Sequence, residues 1–111
     1  MSSTSRYSRP CRRFPSSSTR ADVSGDRIRF YVVDAGPTIP CAFHVVGEQF
    51  DTVYLGAPPA SAIRGVQTFN FAAGGGMIFE LVADIAGEFP FVNHGFGHGQ
   101  KGAIGILSVE P

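Results

Sequence analysis

The chain contains 111 residues, which is enough for one domain of ordinary size. Hydrophobic residues account for 43% of the sequence and charged residues for 16%, with 14 glycines and 8 prolines; this indicates a globular β protein and excludes a bundle of long helices. The formal net charge is zero, and the part of the chain beyond the arginine-rich first 20 residues has an acidic excess, which gives no indication of a nucleic-acid-binding surface there. No apolar run is long enough to predict a membrane span.

Residues 1–25 consist mainly of Ser, Arg, Pro and Thr, with almost no aliphatic side chains. This composition predicts disorder, because too little apolar surface is available to offset the entropy lost on ordering. Three interpretations stay open: a flexible tail, a translated upstream remnant of a longer gene (a mis-started segment), or an Arg/Ser-rich targeting or polyanion-binding segment. No apolar segment follows the first arginines, so no signal peptide is predicted. The predicted folded domain is residues 26–111.

The two cysteines, Cys11 and Cys41, lie on either side of the boundary between the polar segment and the apolar body. Their spacing predicts neither a disulfide framework nor a zinc site. Cys41 is therefore expected to be a small buried apolar residue.

Seven segments have the apolar or alternating pattern of short β-strands. The clearest is 27–33, in which apolar residues at even positions alternate with arginine or tyrosine. No helix of any length is predicted, so the predicted fold class is all-β, a Greek-key β-sandwich. The other predicted strands are 41–46, 51–55, 66–71, 77–83, 88–93 and 103–109, with glycine- or proline-rich turn signals between them.

A histidine motif lies at the end of the segment 88–93. Val92-Asn93-His94 closes a short aromatic run, a glycine-rich loop carries His98 four residues later, and an apolar segment follows. This order resembles the C-terminal copper loop of multicopper oxidases and copper nitrite reductases. A blue copper site requires a cysteine thiolate, and Asn93 stands in its place, so this loop cannot form one.

Val92-Asn93-His94 also resembles the second cupredoxin domain of copper nitrite reductases, in which the histidine completes the type 2 copper of a neighbouring subunit. By this resemblance, His94 is the expected metal ligand; the alternative is a buried histidine satisfied by hydrogen bonds. His98 is expected to be exposed to solvent in its glycine-rich loop.

The second histidine motif is the run from Cys41 to Phe50. Here Phe43, His44 and Gly47, together with Phe50, match the His-Pro-Phe-His-Leu-His-Gly-His-Arg-Phe signature of the same families. In nitrite reductases the counterpart of His44 relays protons to nitrite beside the type 2 copper, a task suited to a side chain that titrates near neutral pH. His44 is therefore the expected catalytic residue, with a packed strand histidine as the alternative.

Between the two motifs lies the pair Gln67-Thr68. It occupies the place of a Glu-Thr or Gln-Thr pair that hydrogen-bonds the active-site histidine in nitrite reductases. The resemblance implies that Gln67 and Thr68 fix the ring orientation and the tautomer of His44.

Together these resemblances imply a cupredoxin-like domain of the multicopper oxidase type that lacks an N-terminal strand. They imply a fragment or single domain of a copper oxidoreductase resembling copper nitrite reductase, which converts nitrite to nitric oxide. The implied cofactor is a type 2 copper shared between subunits. The implied partners are further copies of the chain in a trimer, or a missing first cupredoxin domain, with a small molecule such as nitrite as substrate.

In nitrite reductases the blue copper and the other type 2 ligands belong to the first domain, so the isolated chain is expected to be inactive. Family members are usually exported or periplasmic, but the compartment stays open here. Two alternatives from other classes remain: a stand-alone module that holds copper weakly through His94 and His44, and a metal-free β-sandwich used for assembly.

Overall fold

The computed structural model describes residues 6–10, 19–56 and 61–111. The rest of the predicted tail, residues 1–5 and 11–18, lies outside the described residues, as do residues 57–60. No helix in the described ranges is long and apolar enough to cross a membrane. The elements are β1 (Arg6–Pro10), β2 (Thr19–Val23), β3 (Arg27–Val33), β4 (Cys41–Val45), β5 (Phe50–Tyr54), β6 (Ala62–Val66), β7 (Thr68–Phe71), β8 (Gly76–Val82), β9 (Gly87–Asn93), the single helical turn α1 (Phe96–Gly99) and β10 (Ile104–Glu110).

The strands form two five-stranded sheets, as predicted for a β-sandwich. One sheet has the order β1-β3-β8-β5-β6 and the other the order β2-β10-β9-β4-β7. Neighbouring strands are antiparallel, except that β1 runs parallel to β3 and β2 runs parallel to β10. Strands distant in sequence therefore lie side by side, and β4 and β9, which end near the two histidine motifs, are neighbours.

The core lies between the sheets because each strand turns alternate side chains inward. In β4, Cys41, Phe43 and Val45 are buried, whereas Ala42 and His44 are only partly buried. The apolar residues of this strand thus fix its orientation, and His44 is turned to the face opposite the core.

Phenylalanine rings fill the centre of the core. The ring centroid of Phe43 lies 4.8 Å from that of Phe79, 5.5 Å from Phe30, 5.6 Å from Phe50 and 6.2 Å from Phe91. Aromatic pairs at such separations each add about 0.5–1.5 kcal/mol beyond the burial of their area. The residue next to His44 in sequence is therefore held rigidly by both sheets.

Most predicted strands agree with the structure. The bounds of β3 are those predicted. β4 and β9 differ from the predicted segments by one residue at one end, and β5, β8 and β10 by one residue at each end. The prediction of 66–71 was wrong in part, because a separate strand, β6, ends at Val66 and β7 begins at Thr68. The residues of β6 do not alternate between buried and exposed positions, because all of them are partly or fully exposed. Gly65 in this strand has a positive φ of 71°.

Two strands lie in the segment for which composition predicts disorder. β1 pairs with β3 and β2 pairs with β10, each at one edge of its sheet, where we expected an N-terminal strand to be lacking. Strand pairing uses main-chain donors and acceptors, which serine and arginine carry as well as valine does. A prediction from composition therefore cannot detect such pairing.

Cys41 is fully buried in β4 and is disulfide-bonded. This corrects the expectation that it is simply a small apolar core residue. The spacing of two cysteines carries little information, because whether they can be bridged depends on the distance between them in the fold.

Candidate functional site

The two sequence motifs meet where β4 runs beside β9. His44 is opposite Val92 in the strand register, and His94 follows directly on the last residue of β9. The main-chain N–H of His94 donates to the carbonyl oxygen of Ala42 at 2.7 Å, which extends the pairing of the two strands by one residue. The imidazole rings of His44 and His94 are therefore in proximity, with centroids 5.4 Å apart and planes inclined by 54°.

His44 is held by the turn between β6 and β7. Its Nδ1 lies 2.7 Å from the carbonyl oxygen of Gln67 and 3.1 Å from the hydroxyl oxygen of Thr68. A carbonyl oxygen can only accept, so Nδ1 carries a hydrogen and donates it to Gln67. In the neutral ring the lone pair is then on Nε2, the nitrogen on the other side of the ring.

The structure thus brings the four predicted site residues together. His44 contacts His94, Gln67 and Thr68 directly. Gln67 acts through its main-chain carbonyl, which any residue at this position would provide, whereas Thr68 acts through its side chain.

Asn93 is a site residue that the sequence did not single out for a role. It is 3% exposed, and its side-chain oxygen accepts hydrogen bonds from the main-chain N–H groups of Ala42, at 3.1 Å, and Gly95, at 3.2 Å. Its own main-chain N–H donates to the carbonyl oxygen of Ala103 at 3.1 Å. The only sequence signal was a buried-strand position occupied by a polar residue next to a histidine.

The pair lies on the solvent-facing side of its sheet. His94 is exposed and His44 is partly exposed. Two apolar side chains near this part of the sheet, Val46 and Ile104, are each 44% exposed. Ile104 is opposite Val92, which is also the partner of His44, so an apolar surface adjoins the imidazole pair.

His98 lies in α1, within the loop that joins β9 to β10. Its main-chain N–H donates to the carbonyl oxygen of Gly95 at 2.8 Å, and its own carbonyl oxygen accepts from Lys101 and Ala103, both at 3.0 Å. Its side chain is partly buried, whereas the sequence predicted that it is exposed to solvent. Through these main-chain bonds, the residue shapes the loop that follows His94.

The donors at this site suit copper in kind but are few. Imidazole nitrogen is a ligand for copper, zinc, iron and nickel, and Cu(II) binds most tightly among the first-row divalent ions. Within the described parts of the chain, no group of three or more His, Cys, Asp or Glu side chains could hold a metal ion. The described side chains of these four types therefore do not supply three ligands for a metal at His94.

A separate cavity of about 440 Å³ is lined in part by Glu48, Asp51 and Asp84. Burial, and to a lesser degree the carboxylate of Asp84, raise the pKa of Glu48 above its ordinary value. Neither His44 nor His94 lines this cavity.

No protein-family model matches the sequence. The chain is 40% identical over 88 residues to the copper-containing nitrite reductase of Neisseria meningitidis, an alignment that covers 78% of this chain and 22% of that protein. The chain thus spans about a fifth of the length of the curated relatives it matches.

The comparison with solved structures finds similarity to the same enzymes. The copper nitrite reductase of Nitrosomonas europaea superposes with a TM-score of 0.77 at 27% identity, over 80% of this chain and 31% of that one. The copper-containing nitrite reductase of Thermus scotoductus gives 0.74 at 32% identity, over 79% and 21% of the two chains. A multicopper oxidase gives 0.72 at 21% identity, over 81% and 32%, which shows a common fold alone. The fold of the described residues confirms the predicted cupredoxin-like β-sandwich, which is similar to that of copper nitrite reductases and multicopper oxidases. The chain is therefore a homologue of the copper-containing nitrite reductases.

Proposed function

We propose that this chain is a cupredoxin-like domain of a copper oxidoreductase that reduces nitrite to nitric oxide, with His94 as a ligand of a type 2 copper and His44 as a proton-transfer residue. The observation that carries the proposal is the proximity of the two imidazole rings, 5.4 Å between centroids, on the open side of the sheet. The class of chemistry is taken from the nitrite reductases that the chain resembles.

His94 has the exposure that a shared metal ligand needs. Copper, when bound, would supply the one-electron chemistry of the reaction. Because the described residues offer no three-ligand cluster, His94 would complete a site whose other histidines come from a second subunit or from a first cupredoxin domain. Such a contact would cover the exposed apolar side chains of Val46 and Ile104.

His44 has the environment that a proton-transfer residue needs. Reduction of nitrite to nitric oxide and water consumes one electron and two protons. Because Nδ1 is engaged with the carbonyl oxygen of Gln67 in both charge states, a proton is gained or lost at Nε2. Thr68 restrains the same nitrogen, so the ring keeps one orientation while it changes charge.

The ligand role of His94 is tested by adding Cu(II) to the full chain and recording the electron paramagnetic resonance spectrum. We expect a type 2 copper signal that is lost in His94→Ala. The matched control is His98→Ala, which removes a neighbouring imidazole and should leave the signal unchanged. No signal in the wild-type chain, or a signal that survives in His94→Ala, would refute the ligand role.

Turnover is a separate question. Two imidazoles can bind Cu(II) but provide no electron-donating centre, so we expect no nitrite reductase activity from the purified chain. Steady production of nitric oxide from nitrite and an artificial electron donor would contradict this expectation.

A second candidate, a metal-free β-sandwich used for assembly, is favoured by the absence of a three-ligand cluster among the described residues. The two candidates differ in their response to copper. A ligand that binds only the native state raises the melting temperature. We therefore expect Cu(II) to raise it in the wild-type chain and not in His94→Ala; the assembly candidate requires no change in either.

A further inference from the structure

Three hydrogen bonds fix the segment that carries His94: two join it to β4, the strand that carries His44, and one lies within the segment. The carbonyl oxygen of Ala42 accepts from the N–H of His94 at 2.7 Å, and the side-chain oxygen of Asn93 accepts from the N–H groups of Ala42 and Gly95 at 3.1 and 3.2 Å. Two of the three therefore depend on a single side-chain atom, the Oδ1 of Asn93.

Asn93 stands where β9 ends, which is where the main-chain ladder to β4 runs out. Its Oδ1 takes the place of the next carbonyl oxygen of the ladder by accepting from Ala42 in β4. The same atom closes a turn over His94 by accepting from Gly95, two residues further on. His94 is thus the middle residue of a turn whose anchor is fixed to β4.

We propose that Asn93 is a positioning residue that sets the separation and inclination of the His44 and His94 rings. An apolar side chain at this position would leave two main-chain N–H groups without their acceptor. Of the two hydrogen bonds that hold the turn to β4 only the one from His94 to Ala42 would remain, and the bond that closes the turn would be lost. Because Asn93 is 3% exposed, water could not replace the lost acceptor without a change in the packing around it.

This inference rests on the proposed function for its purpose, but not for its test. Nuclear Overhauser effects between the ring protons of His44 and His94 report the ring separation directly and require no metal. In the wild-type chain we expect such an effect, since the centroids lie 5.4 Å apart.

The test compares Asn93→Leu, which keeps the number and branching of the side-chain heavy atoms and removes the acceptor, with Asn93→Asp, which keeps the acceptor oxygen. Thr52→Val is the control for stability alone, because Thr52 is a buried polar residue, 4% exposed, in the other sheet. We expect the effect between the rings to be lost in Asn93→Leu and retained in Asn93→Asp and in Thr52→Val. Should Asn93→Leu fail to fold, Asn93→Ser, whose hydroxyl is too short to reach both N–H groups, takes its place with the same expectation.

An undiminished effect in folded Asn93→Leu or Asn93→Ser would overturn the inference. Copper affinity is the second measurement, and we expect at least a tenfold loss in Asn93→Leu with no loss in Thr52→Val, as is typical when the partner that orients a ligand is removed. If the wild-type chain shows the ring contact but binds no copper, the proposed function fails. The positioning role is then judged by the ring contact alone.

Discussion

Glu80 offers a test of how burial decides the strength of an ion pair in this fold. Its side chain is 6% exposed; Oε1 accepts from Nε of Arg29 at 2.5 Å, and Oε2 lies 3.4 Å from Nη1 of Arg27. Arg27 has a second carboxylate partner, Asp51, at 2.9 Å, but the side chains of that pair are 39% and 38% exposed. The same network therefore contains one desolvated carboxylate and one hydrated carboxylate.

Removing one partner of a buried ion pair costs about 3–5 kcal/mol, because the opposite charge is left uncompensated. An exposed pair is worth about 0.2–1 kcal/mol. Arg29 is 34% exposed and keeps part of its hydration, so we expect Glu80→Gln to cost about 2–3 kcal/mol, below the fully buried range. Asp51→Asn should cost no more than about 1 kcal/mol. Glu80→Gln would then remove a large part of a total stability of about 5–15 kcal/mol.

The assay is urea unfolding of both variants, with the free energy of unfolding extrapolated at a common slope. Asp51→Asn is the matched control, since it removes one carboxylate charge from the same network. Equal losses in the two variants, or a larger loss in Asp51→Asn, would refute the reasoning from burial.

Two further predictions concern single positions. Burial and the carboxylate of Asp84 raise the pKa of Glu48 in the folded chain, so the ionisation of Glu48 opposes folding. The contribution of Glu48 to the free energy of unfolding should therefore fall as the pH rises from the ordinary glutamate pKa, about 4.3, to the raised pKa of the folded chain. Glu48→Gln should therefore be more stable than the wild type at neutral pH and equal to it below about pH 4. The check is a series of thermal melts across pH, and a stability difference that does not disappear at low pH would contradict the raised pKa of Glu48. A Cβ added at Gly105 would lie 2.3 Å from the ring of Phe91, so Gly105→Ala should cost about 1–3 kcal/mol by overpacking. Gly97→Ala is the control, because a Cβ added at Gly97 meets nothing within 4 Å, and it should leave the free energy of unfolding unchanged or slightly raised. A smaller loss of stability in Gly105→Ala than in Gly97→Ala would contradict the close packing of Phe91 against Gly105.

Side-chain periodicity predicted the strands that face the core. β3 was found at its full length because its even-numbered residues are buried and its odd-numbered residues are not. β4 alternates in the same way, with its odd-numbered residues buried. β6 was missed because it lies at a sheet edge and buries none of its residues fully, so no apolar period was present to detect. The strands β1 and β2 were missed for a related reason, since main-chain pairing at an edge leaves no mark on composition.

The candidate site was predictable where it depends on residue type and not where it depends on contact. The histidine motifs marked His44 and His94, and the resemblance added Gln67-Thr68, all of which the structure brings together. Asn93 was not assigned a role, because its two side-chain hydrogen bonds exist only once β9 lies beside β4. The disulfide bond of Cys41 is likewise a property of the fold, which the spacing of two cysteines does not encode.

The central claim is that His94 is a copper ligand beside His44, and its most direct test is crystallographic. Crystals of the full chain would be grown with Cu(II) and the anomalous signal measured at the copper absorption edge. We expect an anomalous peak at an imidazole nitrogen of His94, close to the ring of His44, with any further ligands coming from a neighbouring copy of the chain or from water. A peak at His98, or no copper at His94 in crystals that contain the metal elsewhere, would contradict the claim.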